Sequence, residues 1–172
     1  YGQTETLDGN IQNLKEFGDY ARKDGVQIGL WTQSDLFPID SIPALLQRDI
    51  VKEVRDAGVR VLKTDVAWVG PVYSFGLNGV AYAAEIMAKY GNNARPFIIT
   101  IDGWAGTQRH AAIWTGDQVG GEWEYRRFHI PTYMGSGLSG QHKIHSDDAG
   151  ILGVKSPIVH RRDWWWKRMQ YM

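Results

Sequence analysis

Short apolar runs that are hydrophobic throughout, rather than alternating, recur along this chain. Segments with helical spacing or long turns separate them. A strand that is apolar on both faces must be covered on both, and that is the condition of a parallel sheet built from β/α units. The runs are Val26–Trp31, Val59–Thr64, Arg95–Ile101 and Ala111–Trp114, with one more strand expected within Leu138–Asp147. Between them the spacing predicts helices over Gly9–Lys23, from Pro43 to Asp56 behind an Asp40 or Ser41 cap, and over Gly79–Lys89 behind Asn78. A further helix, Glu122–Met134, is interrupted at Pro131.

Two parallel architectures fit this alternation. An open doubly wound sheet carries a glycine-rich phosphate turn after an early strand. Neither G-x-G-x-x-G nor G-x-x-x-x-G-K-[ST] occurs. Instead, polar and aromatic residues follow every strand: Trp31-Thr32-Gln33, Asp65, Asp102-Gly103-Trp104, Asp117 and Asp147. That distribution belongs to the C-terminal face of a (β/α)8 barrel, where catalytic groups sit. A complete barrel takes about 250 residues. The fold expected is therefore α/β, one domain over residues 1–172, forming about five β/α units of a TIM barrel. The polar segment opened by Tyr1 reads as internal to a longer protein.

Composition removes other classes. Lys and Arg total 19, as do Asp and Glu, so no net positive charge argues for nucleic acid or an anionic membrane. There is no cysteine, hence no disulfide and no thiolate metal site. No apolar run approaches the roughly 20 residues of a membrane helix. The five histidines form no H-x-x-x-H or H-E-x-x-H pattern, and neither metal nor cofactor is expected. Gly-Ser-Gly-Leu-Ser-Gly at 135–140 is not a nucleophile elbow. Eight Trp residues offer ring faces that stack on sugars, although core packing accounts for such residues as well.

Asp65 ends the Val59–Thr64 run beside Trp68, and Asp117 ends Ala111–Trp114 within Trp-Thr-Gly-Asp. Each has a plain alternative as a turn or cap residue. Two carboxylates at strand ends of one barrel face suggest acid–base or nucleophilic chemistry on a sugar. Asp102 either points into the site or caps its turn. Arg109, between two strand ends, either pairs with a carboxylate of the site or makes a structural ion pair.

The segment Arg95-Pro96-Phe97 through Gly103-Trp104-Ala105-Gly106-Thr107-Gln108-Arg109 to Trp114-Thr115-Gly116-Asp117 resembles the acid/base region of glycoside hydrolase family 31. The resemblance runs from Gly29-Leu30-Trp31 to Arg162. It implies a catalytic barrel with Asp65 as nucleophile and Asp117 as general acid/base. It also implies a sugar site drawing on Trp31, Trp68, Asp102, Trp104, Arg109, Trp114 and Asp147. Lys63-Thr64-Asp65-Val66-Ala67-Trp68 and Tyr73-Ser74-Phe75-Gly76 look closer to a bacterial branch that includes α-galactosidases and α-N-acetylgalactosaminidases. Typical α-glucosidases of the family carry Arg sixteen positions before the acid/base, contacting sugar hydroxyls. Here Ile101 stands there and cannot donate a hydrogen bond.

The function implied is retaining hydrolysis of a terminal α-linked galactose or N-acetylgalactosamine. The alternatives are an α-glucosidase or transglycosylase of the same family, or a non-catalytic carbohydrate-binding barrel fragment. The expected partner is a carbohydrate, with the remaining barrel strands or another chain completing the fold. If the chain belongs to a longer secreted enzyme, its compartment is periplasmic or extracellular.

Overall fold

A computed structural model describes residues 4–32, 36–43, 46–65, 74–117 and 123–146. In chain order the elements are α1 (Leu7–Lys23), β1 (Gly29–Thr32), α2 (Ile50–Arg55), β2 (Val61–Thr64) and α3 (Ser74–Tyr90). There follow β3 (Phe97–Thr100), a 3₁₀ turn (Thr107–Arg109), β4 (Ala112–Trp114), α4 (Trp123–Leu138) and β5 (Ile144–His145). The strands form one parallel sheet in the order β1-β2-β3-β4-β5. Every crossover advances by one strand, with none of the reversal that defines a doubly wound sheet. This is the wall of a (β/α)8 barrel, as the strand-end residues imply.

Register sorts the side chains onto two faces. Leu62 pairs with Ile98, and Thr64 with Thr100. This row faces the helices and is buried, packing with Leu14, Val54, Val80, Ala83 and Met87 in the core. The opposite row, Trp31–Lys63–Ile99–Ala112, follows the same register on the inner face of the wall. Thr64 donates to Thr100 Oγ1 across 2.6 Å, and Thr100 Oγ1 also accepts from the Asp102 N–H at 3.1 Å. Both threonines are fully buried, so their hydroxyls have to find partners there.

Helix boundaries depart from the spacing in informative ways. Helix α1 begins two residues earlier than expected, because Thr6 accepts from the Gly9 N–H and caps it. Of the helix expected from Pro43 to Asp56, the described α-helical part begins at Ile50, capped by Asp49 and not by Asp40 or Ser41. Before it, Gln47 Nε2 donates to the carbonyls of Ile39 and Ile42. Arg48 is drawn out to Trp31 and Glu53. Helix α3 starts at Ser74, so Asn78 lies inside it rather than capping it. Helix α4 carries Pro131 in its interior without stopping. The Thr107–Arg109 turn has no strong periodic signal and was not expected.

The cap gives a test of this start. Asp49→Ala removes the side-chain acceptor for the Lys52 N–H and should cost about 0.5–2 kcal/mol in urea unfolding, whereas Asp40→Ala should stay within about 0.5 kcal/mol of the parent.

Candidate active site

Asp65 follows directly on β2, and Asp117 follows β4 by three residues. Parallel strands end at one edge of the sheet, so both carboxylates lie at the same C-terminal face. Asp65 Oδ2 accepts from the indole Nε1–H of Trp31 at 2.9 Å. Asp117 is exposed. Its turn depends on Gly116, which has φ +86°, a left-handed conformation that costs any residue with a Cβ. A Cβ there would also lie 3.2 Å from Ile101 Cδ1, so the turn is closed against the end of β3.

The inner face joins the two acid-bearing strands. Lys63 of β2 reaches across β3 and sets its Nζ 3.7 Å from the centroid of the Trp114 ring on β4. Trp114 is only 1 % exposed, so the ring is a packing surface for a cation and offers no open face to a sugar. Trp31 and Trp104 are 46 % and 43 % exposed and keep open faces. Gln141 Nε2 donates to the carbonyls of Gly103 at 2.6 Å and Trp104 at 3.0 Å, which fixes the loop that carries Trp104.

Other expected sugar contacts are placed elsewhere. Arg109 closes the 3₁₀ turn that leads into the start of β4. It lines a small cavity of about 130 Å³ with Pro96, His110 and Lys143, at the N-terminal end of the strands. The crossover from β3 to β4 must return to that end before a parallel strand can begin, so the structure does not bring Arg109 to Asp65 or Asp117. Asp102 is buried and turned toward α3: a Cβ on Gly76 would lie 2.3 Å from both its carboxylate oxygens. It occupies the helix side of the wall, not the inner face. Trp68 and Asp147 lie outside the described residues. Among the described residues, no group of three His, Cys, Asp or Glu side chains is arranged to hold a metal ion. Among the same residues, no helix is long and apolar enough to cross a membrane. Sequence reasoning missed Lys63, Arg48 and Glu53, whose contacts span separate elements and leave no local pattern.

Burial pushes the Asp102 carboxyl above its ordinary range. Its Oδ2 has no hydrogen-bond partner among the described residues, and an unpaired buried acceptor costs about 1–3 kcal/mol. The nearby first turn of α3 offsets this by only about 0.3–1 kcal/mol, so the balance shifts toward the protonated form. A carboxyl raised in the folded state stabilises the fold while protonated. That stability is lost as pH rises through the folded value. Asp102→Asn should therefore unfold at higher temperature than the parent at pH 7–8. The advantage should vanish as pH falls toward the ordinary carboxyl range of about 4.

With this geometry in place, comparison with known proteins defines the class. Residues 53–157 match the model of the glycosyl hydrolases family 31 TIM-barrel domain, more than half of the chain. The chain belongs to glycosyl hydrolase family 31.

Among individual relatives, it is 42% identical over 69 residues to alpha-glucosidase 2 of Bacillus thermoamyloliquefaciens, covering 40% of this chain and 8% of that protein. It is 32% identical over 91 residues to the glucosidase 2 subunit alpha of Saccharomyces cerevisiae, covering 53% and 9%. The chain thus matches about a tenth of the length of these relatives. Among solved structures, a cycloalternan-degrading enzyme from Trueperella pyogenes superposes with TM-score 0.70 at 16% identity, over 87% of this chain and 30% of that one. A Flavobacterium johnsoniae dextranase complexed with glucose gives 0.68 at 17%, over 91% and 28%. These structures share the fold. The curated relatives are glucosidases, so they do not support the expected α-galactosidase or α-N-acetylgalactosaminidase branch.

Proposed function

We propose that the protein carrying this chain hydrolyses a terminal α-linked glucose with retention of configuration. Asp65 is the nucleophile and Asp117 the general acid/base. The observation that carries the reading is the pair of carboxylates following β2 and β4 at one face of a family 31 barrel wall. Glucose is preferred because the named relatives are glucosidases. Ile101 still withholds the hydrogen bond that Arg would give a sugar hydroxyl, so the glucose pocket here draws its polar contacts from other residues.

In the first step Asp65 attacks the anomeric carbon while Asp117 protonates the departing oxygen. In the second, water attacks the same carbon, Asp117 takes its proton, and Asp65 leaves as a carboxylate. A retaining pair needs its carboxyl groups about 5–5.5 Å apart, which leaves no room for a water between nucleophile and sugar. The exposed ring of Trp31, beside Asp65, is a stacking surface available at this face.

Two variants separate the roles. With an aryl α-glucoside, Asp65→Ala should lose at least about a thousandfold in kcat/KM whatever the leaving group. Asp117→Ala should lose about 10²–10⁴-fold with poor leaving groups but far less with α-glucosyl fluoride, whose departure needs no proton. Unchanged turnover in either variant would overturn the assignment. Faster turnover of an aryl α-galactoside or α-N-acetylgalactosaminide than of the glucoside would overturn the sugar.

A further inference from the structure

We propose that Trp31, whose backbone is anchored by Arg48 paired with the buried Glu53, is a positioning residue of Asp65 and speeds release of the sugar from it. The inference rests on the reading of Asp65 as nucleophile.

Trp31 pairs with Lys63 in the β1–β2 register, so Asp65 is its diagonal neighbour on the same inner face, within reach of a long side chain. The indole N–H is a donor only, and it meets Asp65 Oδ2 at 2.9 Å. A directional bond at one oxygen restrains the rotation of the carboxylate plane. Trp31 is 46 % exposed, so burial does not hold its ring in place.

Its backbone is anchored in turn. Arg48 Nη1 donates to the Trp31 carbonyl at 2.9 Å. The same guanidinium grips Glu53 through both oxygens, at 2.6 and 2.8 Å. Glu53 is 1 % exposed and sits on α2, one turn into the helix that Asp49 caps. A planar guanidinium can make this bidentate contact and still have an N–H for a third acceptor. Buried ion pairs contribute little net stability compared with apolar replacements of the same size. A role in fixing the end of β1 accounts for the third contact, which a purely structural pair does not require.

The chemistry says which step benefits. On attack, the Asp65 carboxylate becomes an ester and loses its charge, so the indole bond weakens. In the second step the ester C–O bond breaks, the bond from water to the anomeric carbon forms, and Asp117 takes the proton. Negative charge returns to Asp65, and the Trp31 N–H is already aimed at it. A preorganised donor lowers the barrier where charge develops.

The test uses 5-fluoro-α-D-glucosyl fluoride, which accumulates the glycosyl-enzyme, followed by peptide mapping and by the rate at which the trapped protein regains activity. The parent should carry the label on Asp65. Trp31→Phe keeps the ring and removes the donor; its reactivation should be slower by about tenfold or more, the value of a hydrogen bond to a charged group. The double variant Arg48→Met/Glu53→Leu removes the pair without leaving a lone buried charge. It should fold, by circular dichroism, and show the same slow reactivation. Labelling of Asp65 with parental reactivation rates in Trp31→Phe would overturn the inference and leave the nucleophile assignment standing. Absence of label on Asp65 in the parent would overturn both.

Discussion

The site depends on the in-register parallel pairing of β1 to β4. The row Trp31, Lys63, Ile99 and Ala112 runs straight across four strands on the inner face. The row Leu62–Ile98 and Thr64–Thr100 runs across β2 and β3 on the other. A slip of one residue in any strand would exchange the rows. Leu62 and Ile98 would leave a core in which they are almost fully buried, and Lys63 would be driven into it unpaired. Apolar burial thus selects the register, and the register then delivers Asp65 to the face where Trp31 can meet it.

Two contacts stiffen that arrangement from opposite sides. On the inner face, the Lys63 ammonium against Trp114 ties β2 to β4 over the top of β3. Such a contact is worth about 0.5–1 kcal/mol when exposed and about 2 kcal/mol when desolvated, and with Trp114 buried and Lys63 part-buried this one falls between. On the helix side, Arg48 and Glu53 tie the end of β1 to α2. The two acid-bearing strands are therefore tied to each other, and the strand that carries Trp31 is tied to its helix. Asp102 completes the helix side of the wall, beneath Gly76, where only a residue without a Cβ leaves room for its carboxylate.

The strands, their parallel order and the two acid-bearing ends were legible in the sequence because apolar runs and the residues after them are local signals. Helix starts were less so. The spacing around Ala44, Leu45 and Ile50 suggested one helix, yet Arg48 and Gln47 have better partners outside a helix than within one. The placement of Arg109, Asp102 and Trp114 could not be read from their neighbours. Each depends on the path of the β3–β4 crossover or on what packs opposite, and proximity in sequence to a catalytic motif says nothing of the side chain's face. The sugar preference was the least legible part. It rested on a few positions near Asp65 and Ile101, and the relatives point to glucose instead.

The central claim is that Asp65 and Asp117 act as a retaining pair. Its most direct measurement is the anomeric configuration of the first sugar released from an α-glucoside, followed by proton NMR before mutarotation. Two displacements at one carbon predict α-glucose as the initial product, with the β-anomer appearing later. β-Glucose as the initial product would mean a single displacement by water, and would contradict Asp65 as a nucleophile.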